Sequence, residues 1–218
     1  ESKSEKVFVW KQASDHRGNP LGLCNEKLEE EAALSSEIDH PNTSAVVAHG
    51  WTTDSQNRKV KFVIEELIEG DTLGQILENC CKSNTPLEIR TVIDWMKSLC
   101  ATLIDIYSVQ GTIHRDLKPE NIIISPEKGP FIIDFGIAKE WLVEHTQKTS
   151  LILLSGNWSA PERRDGISGP FSDVYSLGKI LFAMVMNIPN SKAEIFPQDK
   201  EDISAALGGK YPEVADLI

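Results

Sequence analysis

The chain has 218 residues, of which 40% are hydrophobic and 25% charged, and it carries a net charge of −11 at pH 7. That length and balance suit one or two packed lobes and exclude a disordered chain. The acidic excess argues against nucleic acid and anionic membrane as partners and mildly favours basic peptides. No apolar run approaches the roughly 20 residues of a membrane span, and no secretory leader is recognisable. The four cysteines, Cys24, Cys80, Cys81 and Cys100, form no CxxC pair, so neither a zinc site nor a disulfide framework is indicated. A reducing, cytoplasmic setting is expected.

In chain order, residues 7–10 (Val-Phe-Val-Trp) predict a strand. Residues 26–38, rich in Glu, Ala and Leu, predict a helix that His40-Pro41-Asn42 ends. Residues 60–64 predict a second strand, followed by the acidic stretch from Glu65 to Gly70. Residues 89–110 predict a long amphipathic helix, with Val92, Trp95, Met96, Leu99, Leu103 and Ile106 at helical spacing. Two short apolar runs, 122–124 and 131–133, flank a turn at residues 125–129 and predict a hairpin. Residues 137–159 read as a loop, and the apolar stretch 173–186 as a buried helix. Strands with one helix come first and helices dominate afterwards, which is an α+β pattern with segregated parts.

Two carboxylate-bearing turns carry the chemistry. His114-Arg115-Asp116-Leu117-Lys118-Pro119-Glu120-Asn121 lies between the long helix and the hairpin, and Asp134-Phe135-Gly136 follows the hairpin directly. The hairpin would therefore present Asp116, Asn121 and Asp134 together at its ends. Two carboxylates and an amide oxygen are hard ligands suited to Mg²⁺ carrying a nucleotide. Lys118 adds a fixed cation near any phosphate. In-line phosphoryl transfer needs this set: a group that orients a hydroxyl, a metal site, and cations where charge spreads.

These motifs resemble those of the eukaryotic-type (Hanks-type) serine/threonine protein kinase domain, and bacterial members in particular. Ala160-Pro161-Glu162 resembles the family's APE motif. Asp173-Val174-Tyr175-Ser176-Leu177-Gly178 resembles the start of its central helix, whose aspartate braces the catalytic loop. The resemblance implies a bilobal α+β fold, with residues 1–66 as a partial N-lobe and 67–218 as an incomplete C-lobe. It implies ATP and Mg²⁺ as cofactors, Asp116 as catalytic aspartate, and Asn121 and Asp134 as metal ligands. Lys118 and Ser155 would complete the catalytic set, with Ser155 bridging Asp116 and Lys118. Lys11 would contact the nucleotide phosphates and pair with a helix glutamate. Glu31 has about the family's spacing, with Glu29 and Glu30 as alternatives. Ile64 would be the gatekeeper beside the purine. The carbonyl of Glu65 and the amide of Leu67 would bond its edge, Val9 and Ile123 would sandwich it, and Asp71 would touch ribose or a basic substrate. A protein substrate is implied, with trans-autophosphorylation as a further expectation.

The family's glycine-rich lid ahead of Lys11 does not stand in residues 1–10, and the family's arginine that pairs with the glutamate of APE, here Glu162, would lie past Ile218, so the chain reads as truncated at both ends. Were the missing lid genuine, a pseudokinase or binding scaffold would be the alternative. A small-molecule phosphotransferase is a further alternative, though such enzymes generally lack the APE segment and Lys118. The loop at 137–159 offers a regulatory device. Arg115 and Lys139 would bind a phosphate on Thr146, Thr149 or Ser150, or Arg115 would instead pair with Glu140 or Glu144.

Overall fold

The structure is a computed structural model that describes residues 7–15, 20–135, 139–140, 158–165, 167–189, 191–192 and 205, with backbone alone at 139–140 and 164–165. The first part is a three-stranded antiparallel sheet with one helix laid on it. Strand β1 spans Phe8–Gln12, helix α1 Leu21–Glu37, β2 Val46–Thr53 and β3 Lys59–Glu66. The sheet order is β1-β3-β2, so β3 is paired on both sides. Side chains alternate across a strand. Lys61, Val63 and Glu65 therefore share the buried side of β3, while Phe62 and Ile64 turn to the other. On that other side Trp10 stacks on Phe62 with ring centroids 4.5 Å apart.

Helix α1 lies on the buried side and is longer than residues 26–38. It begins at Leu21, after Pro20, and Asn25 and Ser35 lie on its covered face, where polar residues hide the apolar stripe. Asn25 Nδ2 donates to Lys59 O at 3.3 Å, and its Oδ1 accepts from the Lys61 amide at 2.7 Å. Lys61 Nζ meets Glu29 Oε2 at 2.7 Å. The apolar core here is small: Ala13, Leu28, Ala32 and Val63. Strand β1 also runs further than residues 7–10, so Lys11 stands inside it. Strand β2 was not legible in the sequence, since its exposed residues break the alternation.

The remaining described residues form the larger part. Strand β4 spans Asp71–Thr72, α2 Leu73–Ser83, α3 Ile89–Gln110, β5 Thr112–Ile113, β6 Ile122–Ser125, β7 Gly129–Ile132, β8 Lys139–Glu140 and α4 Pro170–Met186. The expected hairpin is β6–β7, and β4 pairs with its β6 edge. Gly70 makes that pairing possible. It has φ 145°, and a Cβ there would lie 2.2 Å from the Ile124 carbonyl oxygen. Helix α2, also absent from the sequence reading, starts at a capping box: the Gln75 amide donates to Thr72 Oγ1, and the Thr72 amide to Gln75 Oε1. Its Leu73 and Leu77 are wholly buried. They join Val92, Leu99 and Ile106 of α3 and Leu177, Ile180, Ala183 and Met184 of α4 in one core.

The His40-Pro41-Asn42 turn clips the two parts together. The Ile132 amide donates to Asn42 O at 2.9 Å, and Asn42 Nδ2 donates to Pro130 O at 3.2 Å. The hairpin that carries the functional turns is thus fixed to the end of α1. Because the smaller part has so little apolar core, its polar links matter more. Asn25→Ala should leave a buried amide and carbonyl of β3 unpaired and lower stability by ~1–3 kcal/mol. Urea unfolding would measure this, and a loss near zero would show that α1 docks without them.

Candidate active site

The turn from His114 to Asn121 leaves β5 and enters β6, and its shape is set from below. Asp173, in the first turn of α4, is buried. Its Oδ2 accepts from the His114 amide at 2.8 Å and its Oδ1 from the Arg115 amide at 2.9 Å. Burial pushes the Asp173 carboxyl up, and the nearby cations and the two amides work against that shift. Arg115 adopts φ 67°, the left-handed region that a non-glycine residue enters only under constraint. The His114 ring is fixed on both sides. Its Nδ1 accepts from the Asp116 amide at 3.2 Å, which leaves Nε2–H to donate to Ile133 O at 3.1 Å. The ring also leans on Phe135, with centroids 4.6 Å apart. One turn is thereby tied to the other.

Asp116 is buried, and its two oxygens have different fates. Oδ2 accepts from Lys118 Nζ at 2.7 Å and from Asn121 Nδ2 at 3.1 Å. Oδ1 is buried with no hydrogen-bond partner among the described residues. Asn121 Nδ2 also donates to Asp116 O at 2.9 Å, and its Oδ1 accepts no bond among the described residues. Asp134, at φ 64°, follows the hairpin with its side chain 43% exposed.

Lys11 closes the site from β1. Its Nζ donates to Glu31 Oε1 at 2.8 Å and to Glu65 Oε1 at 3.1 Å, and lies 3.6 Å from Asp134 Oδ1. Of the three candidate glutamates, Glu31 is thus the partner. Glu29 faces Lys61 instead. Burial alone would lower the Lys11 ammonium's pKa, but the carboxylates of Glu31, Asp134 and Glu65 outweigh it and hold it above the usual lysine range. Burial pushes the Glu31 carboxyl up, against the pull of Lys11.

The purine edge differs from the sequence expectation by one residue. Ile64 turns its side chain to the face opposite Lys11 and pairs with Trp10, so it is not the residue beside the cleft. Glu65 holds that place. Its backbone is inside the sheet, paired with Val9 and Val46, so its carbonyl is not on a free edge. The Leu67 amide donates to Val7 O at 3.4 Å and is likewise engaged. Ile68 is the next amide along, and it has no bond among the described residues. The strand runs to Glu66 where the sequence suggested an end at Ile64, and with period-two alternation a one-residue change in which side chain is placed at the cleft changes the face.

Val9 shares the Lys11 side of β1 and lies opposite Glu65. Ile123 sits in β6 opposite Thr72, and Asp71 is exposed in β4. Ser155, Thr146, Thr149, Ser150, Glu144 and Gly136 lie outside the described residues. The Lys139 backbone pairs with Ile113, two residues from Arg115. Sequence reasoning missed Arg163. Its Nη1 donates to the Arg115 carbonyl and, at 3.2 Å, to Ser159 Oγ. Burial and then the Arg163 charge hold the Arg115 guanidinium down at about 10. Among the described residues Arg115 Nε is buried without a hydrogen-bond partner, and no carboxylate forms a salt bridge with Arg115.

The family model described as the protein kinase domain matches residues 1–208. The serine/threonine-protein kinase PknA of Mycobacterium tuberculosis is 30% identical over 161 residues, which cover 73% of this chain and 36% of that protein. The serine/threonine-protein kinase PknL of the same species is 33% identical over 166 residues, 72% of this chain and 40% of the relative. PrkC of Bacillus subtilis, also a serine/threonine-protein kinase, is 29% identical over 160 residues, 73% of this chain and 23% of the relative. The chain spans less than half the length of these curated relatives.

The Asp173 brace yields a direct test. Asp173→Ala should strand two buried amides and cost ~2–4 kcal/mol. Asp173→Asn keeps one acceptor oxygen and should cost less. Equal losses in urea unfolding would mean that the contact acts through packing alone.

Proposed function

The chain belongs to the protein kinase family, and we propose that it transfers the γ-phosphoryl group of Mg-ATP to serine and threonine hydroxyls of protein substrates. The observation that carries this reading is the orphaned Asp116 Oδ1. Lys118 and Asn121 occupy the other oxygen of that carboxylate. A buried acceptor without a partner is costly to leave unmade. A substrate hydroxyl would satisfy it, and the same bond would orient the nucleophile and receive its proton. Lys118, held 2.7 Å from Asp116, places positive charge where the transferring group gathers negative charge.

The donor set fits Mg²⁺. Asn121 Oδ1 and the partly exposed Asp134 carboxylate are hard oxygen ligands, and too few for a closed cage. Mg²⁺ favours such sites, where phosphates and water supply the rest. When bound, the ion would neutralise phosphate charge. Lys11 would meet the α- and β-phosphates, with Glu31 setting its direction from α1. Val9 and Ile123 would contact the base, with its polar edge met near Ile68. Asp71 would stand at the sugar or a basic substrate. Ser155 would bridge Asp116 and Lys118, and Lys118 at this position favours Ser and Thr over Tyr. The small and large lobes would divide between residues 66 and 67.

Arg115 supports loop regulation. Its guanidinium is crowded by Arg163, and although the Asp173 charge acts on it, it forms no salt bridge among the described residues. An anion such as phosphate on Thr146, Thr149 or Ser150 would relieve that repulsion by charge-assisted hydrogen bonds.

Incubation with Mg-ATP and a mixed protein substrate should yield phosphoserine and phosphothreonine, and phosphotyrosine as the dominant product would refute the reading. Asp116→Asn should cut turnover by ~10²-fold or more while leaving nucleotide affinity and stability nearly unchanged. Near wild-type turnover would remove Asp116 from the mechanism. Asp134→Ala should abolish the Mg²⁺-dependent part of ATP binding in calorimetry, and Asn121→Ala should weaken it less.

A further inference from the structure

The geometry points to Glu65 as a residue that keeps one Lys11 donor from nucleotide phosphates and so makes nucleotide binding lean on a divalent cation, a role that rests on the kinase reading above. An ammonium has three N–H donors and no more. In this site two of them are committed to carboxylates, Glu31 Oε1 at 2.8 Å and Glu65 Oε1 at 3.1 Å. The third has Asp134 Oδ1 nearest, at 3.6 Å. One lysine charge therefore faces three carboxylates, and an incoming polyphosphate meets a negative cluster in place of a free cation.

The three partners are not equivalent. Glu31 belongs to α1 and holds the lysine in its direction. Asp134 is the most exposed, at 43% of its side chain, and its contact is the longest. It is also the carboxylate placed to bind Mg²⁺, and a metal bond there would draw its charge away from Lys11. Glu65 is different from both. Its side chain is only 8% exposed, it sits in the central strand, and Lys11 is its side chain's partner. It stands directly across from Val9, on the cleft side of the sheet. Nothing in metal binding would displace it. Glu65 thus permanently removes one donor and adds one negative charge beside the phosphate site. What remains for phosphate is the donor that faces Asp134, which the metal frees. Nucleotide affinity should accordingly depend on Mg²⁺ more steeply than the metal's own bonds to phosphate require.

Both effects of removing Glu65 have the same sign. Glu65→Met frees a donor and deletes a charge, while Glu31 still holds Lys11. Glu65→Gln deletes the charge in the same shape and guards against a folding defect in the methionine variant. The experiment is calorimetric titration of the full-length protein and both variants with ATP, once in EDTA and once in excess Mg²⁺. Each variant should bind metal-free ATP more tightly than wild type by about fivefold or more, the scale of one partly buried charge interaction. The ratio of affinities with and without Mg²⁺ should shrink. A Glu31→Gln control should not tighten metal-free binding, because it releases Lys11 from α1. If the folded Glu65 variants bind metal-free ATP no better than wild type while wild type binds Mg-ATP normally, Glu65 is a structural anchor and the proposal is overturned with the kinase reading intact. If wild type binds ATP under neither condition, both fall together.

Discussion

The site depends on one buried carboxylate that is not itself part of the chemistry. Asp173 belongs to α4, whose apolar residues are the middle of the larger core, and its two oxygens hold the amides of His114 and Arg115. A helix in a packed core is among the most rigid supports a protein has. By bonding main chain in place of side chain, Asp173 fixes where the turn runs before any reactive group is placed. The position of Asp116 then follows from the turn. His114 passes the constraint on, through Nε2 to Ile133 and through its ring to Phe135, and so to Asp134. The two carboxylates are positioned by one network.

The smaller part works on a different principle. Its apolar cluster is four buried residues, too few to fix a helix orientation by packing alone. Polar contacts supply the orientation: Asn25 to the β3 backbone, Lys61 to Glu29, and Lys11 to Glu31. Contacts of this kind are directional and individually modest, so a helix held by them can be shifted by a change of charge at one contact. Lys11 makes such a contact, at Glu31 in α1. The residue that would meet phosphates also fastens α1, which links ligand charge to helix position.

The sequence made the larger part legible and the smaller part less so, for physical reasons. The long helix at residues 89–110 could be bounded because its apolar stripe is regular and Gly111 ends it in the left-handed region. The catalytic turns were legible because their residue types are dictated by chemistry. Helix α1 was cut short because a polar residue, Asn25, occupies its covered face. At Ile64 the sequence does not show which side chain faces the cleft, and the register of β3 against β1 puts Glu65 there, across from Val9. Arg163 gave no signal, since an arginine after a motif glutamate reads as an ordinary surface charge until the Arg115 carbonyl is seen beside it.

Backbone strain marks the site independently of any motif. Five non-glycine residues among those described have positive φ: Asn57, Asn84, Asn187, Arg115 and Asp134. The three asparagines need no special explanation, since Asn tolerates the left-handed region well; Asn84 and Asn187 cap helices α2 and α4, and Asn57 is in the turn between β2 and β3. Arg115 and Asp134 have no such excuse. An arginine in that region costs on the order of 1 kcal/mol and persists only where the surroundings impose it. For Arg115 the surroundings are Asp173 below and Arg163 on its carbonyl. For Asp134 they are the hairpin end, where the Ile133 amide donates to Asn121 O at 2.9 Å. One strained residue directly precedes Asp116 in its turn, and the other follows β7, the second strand of the hairpin that this turn leads into. Stored strain and an unmet acceptor in the same few residues are what a fold tolerates when the place is kept for a ligand and not for stability.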